Sequence, residues 1–132
     1  MSSRGLLNKN PGNIRLSKTV WIGEVRPGRD KSFCEFETMA YGYRALLKLL
    51  QNYKIRYNCD TIHKMISRWA PPNENNTESY IGNVSRKVGL SADAVVDVTN
   101  KDVMLKIAAA ISESENGVKA VMSDIETGWS LL

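Results

Sequence analysis

At 132 residues, 42% apolar and 24% charged, the chain is long enough for one domain with a real core and too short for two ordinary ones. That composition excludes a disordered chain, and no run approaches the roughly 20 apolar residues needed to span a bilayer. The net charge of +4 suits polyanions in general, but the cations are scattered, without a basic stripe or an RNA-binding aromatic motif, so no nucleic-acid partner is expected.

Residues 1–18 lack periodicity and read as a loop, with Pro11 and Gly12 suited to the centre of a type II turn. Across 19–37, "TVWIGEV" and "KSFCEFE" are short aromatic and β-branched runs separated by "RPGRD", the pattern of a small hairpin. From residue 38 to 132 the texture is helical. Met39, Tyr43, Leu46, Leu47, Leu50 and Tyr53 recur at spacings of three and four. Asp60 or Thr61 caps the next helix, which carries Ile62, Met65, Ile66 and Trp69 on one face and stops at Pro71-Pro72. Asn76 or Thr77 caps a third, with Tyr80, Ile81, Val84 and Val88 inward and Gly89 as its stop. A fourth runs through "KDVMLKIAAAISESE" to Asn116-Gly117, and a short fifth covers Lys119 to Glu126. The fold class is α+β, mostly α: a loop and hairpin, then four to five helices. Cys34, Cys59 and a lone His63 do not form a metal site, and neither metal nor cofactor is expected. Buried thiols are the expected state of the two cysteines, with a disulfide as the alternative.

Chemistry concentrates at "AAAISESENG". The buried face of that helix passes through Ile107, Ala108 and Ile111, and its next position is Glu115; Glu113 is rotated about 200° from Ile111 and should face water. Partial burial and the negative end of the helix dipole both favour the protonated acid at Glu115. A carboxylic acid of that kind is what a glycosidase needs to protonate a leaving oxygen. Taken alone, Glu-Asn-Gly reads first as a plain helix terminus with Glu115 bending out to solvent, and two features weigh against that reading. The asparagines of the opening loop, Asn10 and Asn13 around Gly12, offer amides suited to sugar hydroxyls and N-acetyl groups. Trp21, Tyr41 and Tyr43 offer flat rings for a saccharide cleft. Asn116 beside the acid and Glu74 in "NENNT" are assigned to the same binding surface, although Glu74 also suits a capping turn. A second carboxylate is sought at Asp30, with Glu24 and Glu35 as alternatives. Arg44 and Arg68, each in an apolar neighbourhood, suit helix ends or carboxylates.

"RGLLNKNPGNIR", "W-x-G", "G-Y-R-A-L-x-K-L-L", "R-W-A-P-P-x-E-N-x-T-x-x-Y-I" and "A-I-x-x-x-E-N-G" together resemble small virion-associated or endolysin-like proteins of phages and prophages in the lysozyme-like superfamily. The resemblance runs from Arg4 to about Asp124. "NPGNIR", "WIG", "FCEF" and "ESYIGNV" are also similar in order to glucosaminidases of the flagellar-muramidase type, with the Glu-bearing helix last instead of first, as in a circular permutation.

The resemblance implies a lysozyme-like domain with Glu115 as general acid and the opening loop as one wall of a sugar cleft. Tyr80 either packs or directs its hydroxyl at Glu115. The implied function is cleavage of peptidoglycan glycan strands, of muramidase or lytic transglycosylase type; the alternative is a non-catalytic virion structural or peptidoglycan-binding module. The expected partners are glycan strands and phage virion proteins, and the chain is expected to be a monomer without membrane insertion. Since the N-terminus lacks the apolar segment of a secretory signal, the expected route from a bacterial cytoplasm to the cell wall is a virion, a holin or lysis.

Overall fold

The computed structural model describes residues 3–132. Its elements in chain order are α1 (Arg4–Leu7), β1 (Glu24–Val25), β2 (Glu35–Phe36), α2 (Met39–Tyr57), α3 (Ile62–Trp69), α4 (Thr77–Val88), α5 (Lys101–Asn116) and α6 (Met122–Ser130). The α+β, mostly α organisation expected from the sequence is the one observed. Among the described residues, no helix is long and apolar enough to cross a membrane.

Helices α2 to α5 start where a short polar side chain can satisfy a free amide. Thr38, Thr61, Asn76 and Asn100 accept from the amides of Tyr41, Lys64, Ser79 and Val103. The two open choices of cap resolve to Thr61 and Asn76. Gly89 and Gly117 end α4 and α5 at φ of 77° and 70°, where only glycine sits without strain. The last helix begins at Met122, later than the sequence suggests, and Val121 offers it no side-chain cap.

The apolar stripes then dictate the packing. Tyr43, Leu46, Leu47 and Leu50 of α2 meet Ile62, Met65 and Ile66 of α3, Met104, Ile107 and Ile111 of α5, and Ile125 of α6 in one core. The longest helix, α2, makes its most extensive contact with α6, while α4 lies between α3 and α5. Arg44 reaches the end of α6, its Nε donating to the Leu131 carbonyl at 3.1 Å. Arg68 lies over the Tyr57 ring at 3.3 Å. Cys34 and Cys59 are buried free thiols in separate clusters, and burial pushes the Cys34 thiol up to about 12.

The hairpin is shorter than its aromatic runs suggest: Glu24 pairs with Phe36 and Val25 with Glu35. Two competing partners explain this. The "TVWIG" run turns back on itself, the Glu24 amide donating to the Trp21 carbonyl at 3.0 Å. Meanwhile the opening segment takes the free edge of β2, through Cys34 N to Ile14 O at 2.9 Å, Phe36 N to Asn8 O at 2.9 Å and a bridge between Arg15 and Phe33. Ile14, Cys34, Phe36 and Ala45 form a second, smaller core beneath it.

The opening segment is therefore integrated rather than loose. After the single turn of α1 the chain takes left-handed conformations at Lys9 and Asn13, with φ of 52° and 51°. Gly12 is not among the left-handed glycines, so the turn closed by Asn13 N and Asn10 O is not of type II. Gly42 lets the segment seat on α2, where an added Cβ would collide with the Lys9 carbonyl and Pro11. Asn10 locks it there: its amide donates to Ile14 O at 3.0 Å and Cys34 O at 2.9 Å, and its oxygen accepts from Ile14 N at 2.9 Å. Asn10 is fully buried. Asn10→Ala removes all three of these bonds from a buried site and should cost about 3 kcal/mol in urea unfolding.

Candidate active site

The apolar stripe of α5 continues for one more turn than its hydrophobic residues. Ile107, Ala108 and Ile111 are buried, and the same face brings Glu115 half-buried to the helix end. Both carboxyl oxygens are held. Asn13 donates its amide to Oε1 at 2.9 Å, and Tyr80 donates its hydroxyl to Oε2 at 2.8 Å. The two donors come from well-separated parts of the chain, Asn13 from the opening loop and Tyr80 from the first turn of α4. Burial first, then the Glu115 carboxylate beside it, push the Tyr80 phenol far above the ordinary tyrosine range, so it remains a protonated donor.

Glu115 lies in the lining of a groove of about 470 Å³. One wall is the opening segment, with Gly12, Asn13 and Arg15, beside Trp21 of the following run. Phe33, Leu49, Tyr53 and Trp69 supply apolar and aromatic surface, and Glu74 and Asn75 complete the lining. Gly12 is needed for closeness: a methyl there would come within 2.6 Å of the Trp69 ring. Trp69 in turn meets Tyr53 edge to face, with ring centroids 6.4 Å apart. Such a trough combines apolar rings with a few convergent polar groups, the usual character of a ligand site.

The structure therefore brings Glu115, Asn13, Gly12, Trp21 and Glu74 together in the groove lining, joins Tyr80 to them through its hydrogen bond to Glu115, and leaves Asn10, Asn116 and Asp30 apart. Asn10 is spent on the backbone groups of Ile14 and Cys34. Asn116 bonds Pro11 O and Ser112 O, each at 2.9 Å, and accepts from the Ser3 hydroxyl at 2.5 Å. Asp30 is a clamp. Arg4 grips it in a two-pronged pair at 2.5 and 2.7 Å, Asn8 donates at 3.1 Å, and the amides of Ser32 and Phe33 donate at 2.8 and 3.1 Å. The Arg4 guanidinium first, then these amides, hold its carboxyl far below the usual carboxylate range. Glu24, with a fully buried side chain, is paired to Arg26 at 2.6 Å, and Glu35 to Arg29 at 3.2 Å.

Three further assignments change. Tyr43 is core, donating its hydroxyl to Ser112 at 2.9 Å, because it shares the stripe of Leu46, Leu47 and Leu50. Tyr41 packs over Gly23, away from the groove lining. Glu113 does not simply face water: it accepts from the Ala120 amide at 3.0 Å and pairs with Lys87 at 3.3 Å, and that amide, chiefly, lowers its pKa. Conversely, Arg15, Phe33, Tyr53 and Trp69 line the groove without a sequence signal of that role. Tyr53 and Trp69 fall on helix faces that periodicity assigns to the core, and both are in fact half-buried against it.

No family model matches the chain. Over 119 residues it is 35% identical to Protein P5 of Pseudoalteromonas phage PM2, an alignment that covers 88% of this chain and 72% of that protein.

The Asp30 clamp sets a pH dependence. A carboxyl whose folded pKa lies below its unfolded value near 3.9 stabilises the fold fully above about pH 4. That contribution is lost as pH falls toward the folded value. Urea midpoints measured from pH 6 to pH 2 should fall less steeply for Asp30→Asn than for the unsubstituted chain, the asparagine variant being the less stable of the two at pH 6.

Proposed function

The chain belongs to the family of Protein P5 of Pseudoalteromonas phage PM2, and we propose that it cleaves the glycan strands of peptidoglycan with Glu115 as general acid. One observation carries this reading: a carboxyl group fixed by two donors, Asn13 and Tyr80, beside a trough of aromatic rings. Fixed orientation is what proton transfer to a glycosidic oxygen requires, since only an acid within hydrogen-bond reach contributes.

Glu115 gives its proton to the glycosidic oxygen as the bond from that oxygen to the sugar C1 breaks. The charge that develops on the ring needs either a nearby carboxylate with water or an internal nucleophile. Asp30 is committed to Arg4 and lies outside the groove lining, and Glu74, the second carboxyl of the lining, faces Arg15; the proposed route is the internal one. The muramyl 6-hydroxyl attacks C1, its proton passes to the Glu115 carboxylate, and an anhydro ring closes with the acid regenerated. The reaction is then that of a lytic transglycosylase, on a lysozyme-like scaffold. Tyr80 and Asn13 keep the carboxyl aimed through both proton transfers. Trp21 and Trp69 offer faces on which sugar rings can lie. A phage-family protein meets this substrate when carried in a virion with other virion proteins or when released at lysis.

A second reading has its own support: with both oxygens of Glu115 already satisfied inside the protein, the same groove serves a virion module that binds glycan and cuts nothing. Clearing of purified sacculi separates the two. Glu115→Gln keeps the shape and should lower the clearing rate at least about 100-fold with an unchanged melting temperature. Tyr80→Phe should lower it roughly tenfold through loss of one charged hydrogen bond. Sacculi that bind the unsubstituted chain yet lose no turbidity would establish the binding module instead.

A further inference from the structure

Arg15 and Glu74 face each other in the groove that holds Glu115, one from the opening segment and one from the turn between α3 and α4. Their contact is loose, 3.7 Å between Nη2 and Oε2, with side chains 64% and 50% exposed. That separation exceeds a hydrogen bond, and pairs so exposed contribute little to stability. The same protein builds a far tighter pair where one serves structure: Arg4 meets Asp30 through two bonds of 2.5 and 2.7 Å, with the Asp30 side chain only 9% exposed.

Arg15 is nevertheless well positioned. Its backbone is pinned by the bridge to Phe33, and its guanidinium lies 5.1 Å from the centre of that ring. A guanidinium presents five donors in a rigid fork that fits a carboxylate through two parallel bonds. Glu74 engages that fork at one long contact, leaving it open to a better partner. The charged groups of the lining are one guanidinium and the carboxyls of Glu74 and Glu115. That balance suits a ligand with isolated carboxylates better than a polyphosphate, in spite of the net charge of +4.

We propose that Arg15 makes the groove selective for saccharides bearing a pendant carboxylate, exchanging its loose contact with Glu74 for the carboxylate of the glycan. The proposal rests on the groove being a glycan site. Glu74 competes for Arg15 and repels the incoming anion, so it holds the guanidinium in the empty groove and moderates the affinity for acidic ligands, while the preference for them comes from Arg15. In peptidoglycan such a carboxylate has two sources, the lactyl ether of an unsubstituted muramyl residue or the side chains and terminus of a stem peptide.

Binding to the uncleaving Glu115→Gln protein, followed by calorimetry, tests this with three probes. These are a neutral N-acetylglucosamine tetrasaccharide, a peptide-free alternating glucosaminyl-muramyl tetrasaccharide, and the same tetrasaccharide with amide-linked stem peptides. At least one acidic probe should bind more tightly than the neutral one, and the probe that does so identifies the source of the carboxylate. Adding Arg15→Gln should weaken that probe about tenfold and leave the neutral one unchanged. Adding Glu74→Gln should tighten it severalfold, and added salt should weaken it selectively. Equal affinity for acidic and neutral probes, or an equal loss for all three on Arg15→Gln, overturns the selectivity. Failure of all three to bind a folded protein overturns the glycan reading of the groove and this proposal with it.

Discussion

The side chain of Asn116 joins the two ends of the fold. One amide donates both to Ser112 O, within its own helix, and to Pro11 O, more than a hundred residues earlier; its oxygen receives the Ser3 hydroxyl. Gly5 packs so closely there that an added Cβ would come within 2.5 Å of the Asn116 oxygen. The last turn of α5 and the opening segment are thereby one unit, although the main chain connects them only through most of the domain. Asparagine suits the place because a single amide supplies donors and an acceptor at once.

That junction sets the geometry of Glu115. The residue before Asn116 inherits its helix phase, and the opening segment inherits its position from the same contact, so Asn13 arrives at Oε1 without any direct chain link to α5. Tyr80 reaches Oε2 from α4, whose inward face is set by Ile81, Val84 and Val88 against α5. Supporting layers stand behind each member. Asn10 holds the segment on β2, and Asp30 holds α1 and the hairpin turn through Arg4, Asn8 and two amides. Side chains chosen in isolation as sugar contacts, Asn10 and Asn116, thus act one step back from the groove, fixing the residues that line it.

Helices were the most legible part of the sequence, because their stripes and caps are local: Thr61, Asn76, Gly89 and Gly117 mark ends that depend on a few neighbours. Glu115 was legible for the same reason, as the next position on an apolar stripe. The opening segment was not. Its hydrogen bonds go to β2 and α5, and a string of turn formers does not reveal such distant partners. Tyr43 and Trp69 show the limit of aromatic content as a guide. The first lies on a helical stripe and is buried by it; the second lies on one too, yet the groove opens beside its ring. Asp30 shows the corresponding limit for carboxylates, since the cation that occupies it is Arg4, on a different element.

The charge pattern fits this arrangement. Cations bind carboxylates around the opening segment and hairpin, Arg4 on Asp30, Arg26 on Glu24 and Arg29 on Glu35, leaving Arg15 with the weakest of these pairs. The region that lines the groove is accordingly stiffened from outside, and Arg15 and Glu74 within it are only loosely engaged. Mass spectrometry of soluble fragments from purified sacculi tests the central claim most directly, since it identifies both the bond and the chemistry. Anhydro-muramyl products from the unsubstituted chain, absent with a folded Glu115→Gln protein, are the predicted result. No fragments from the unsubstituted chain, or the same fragments from both proteins, would contradict it.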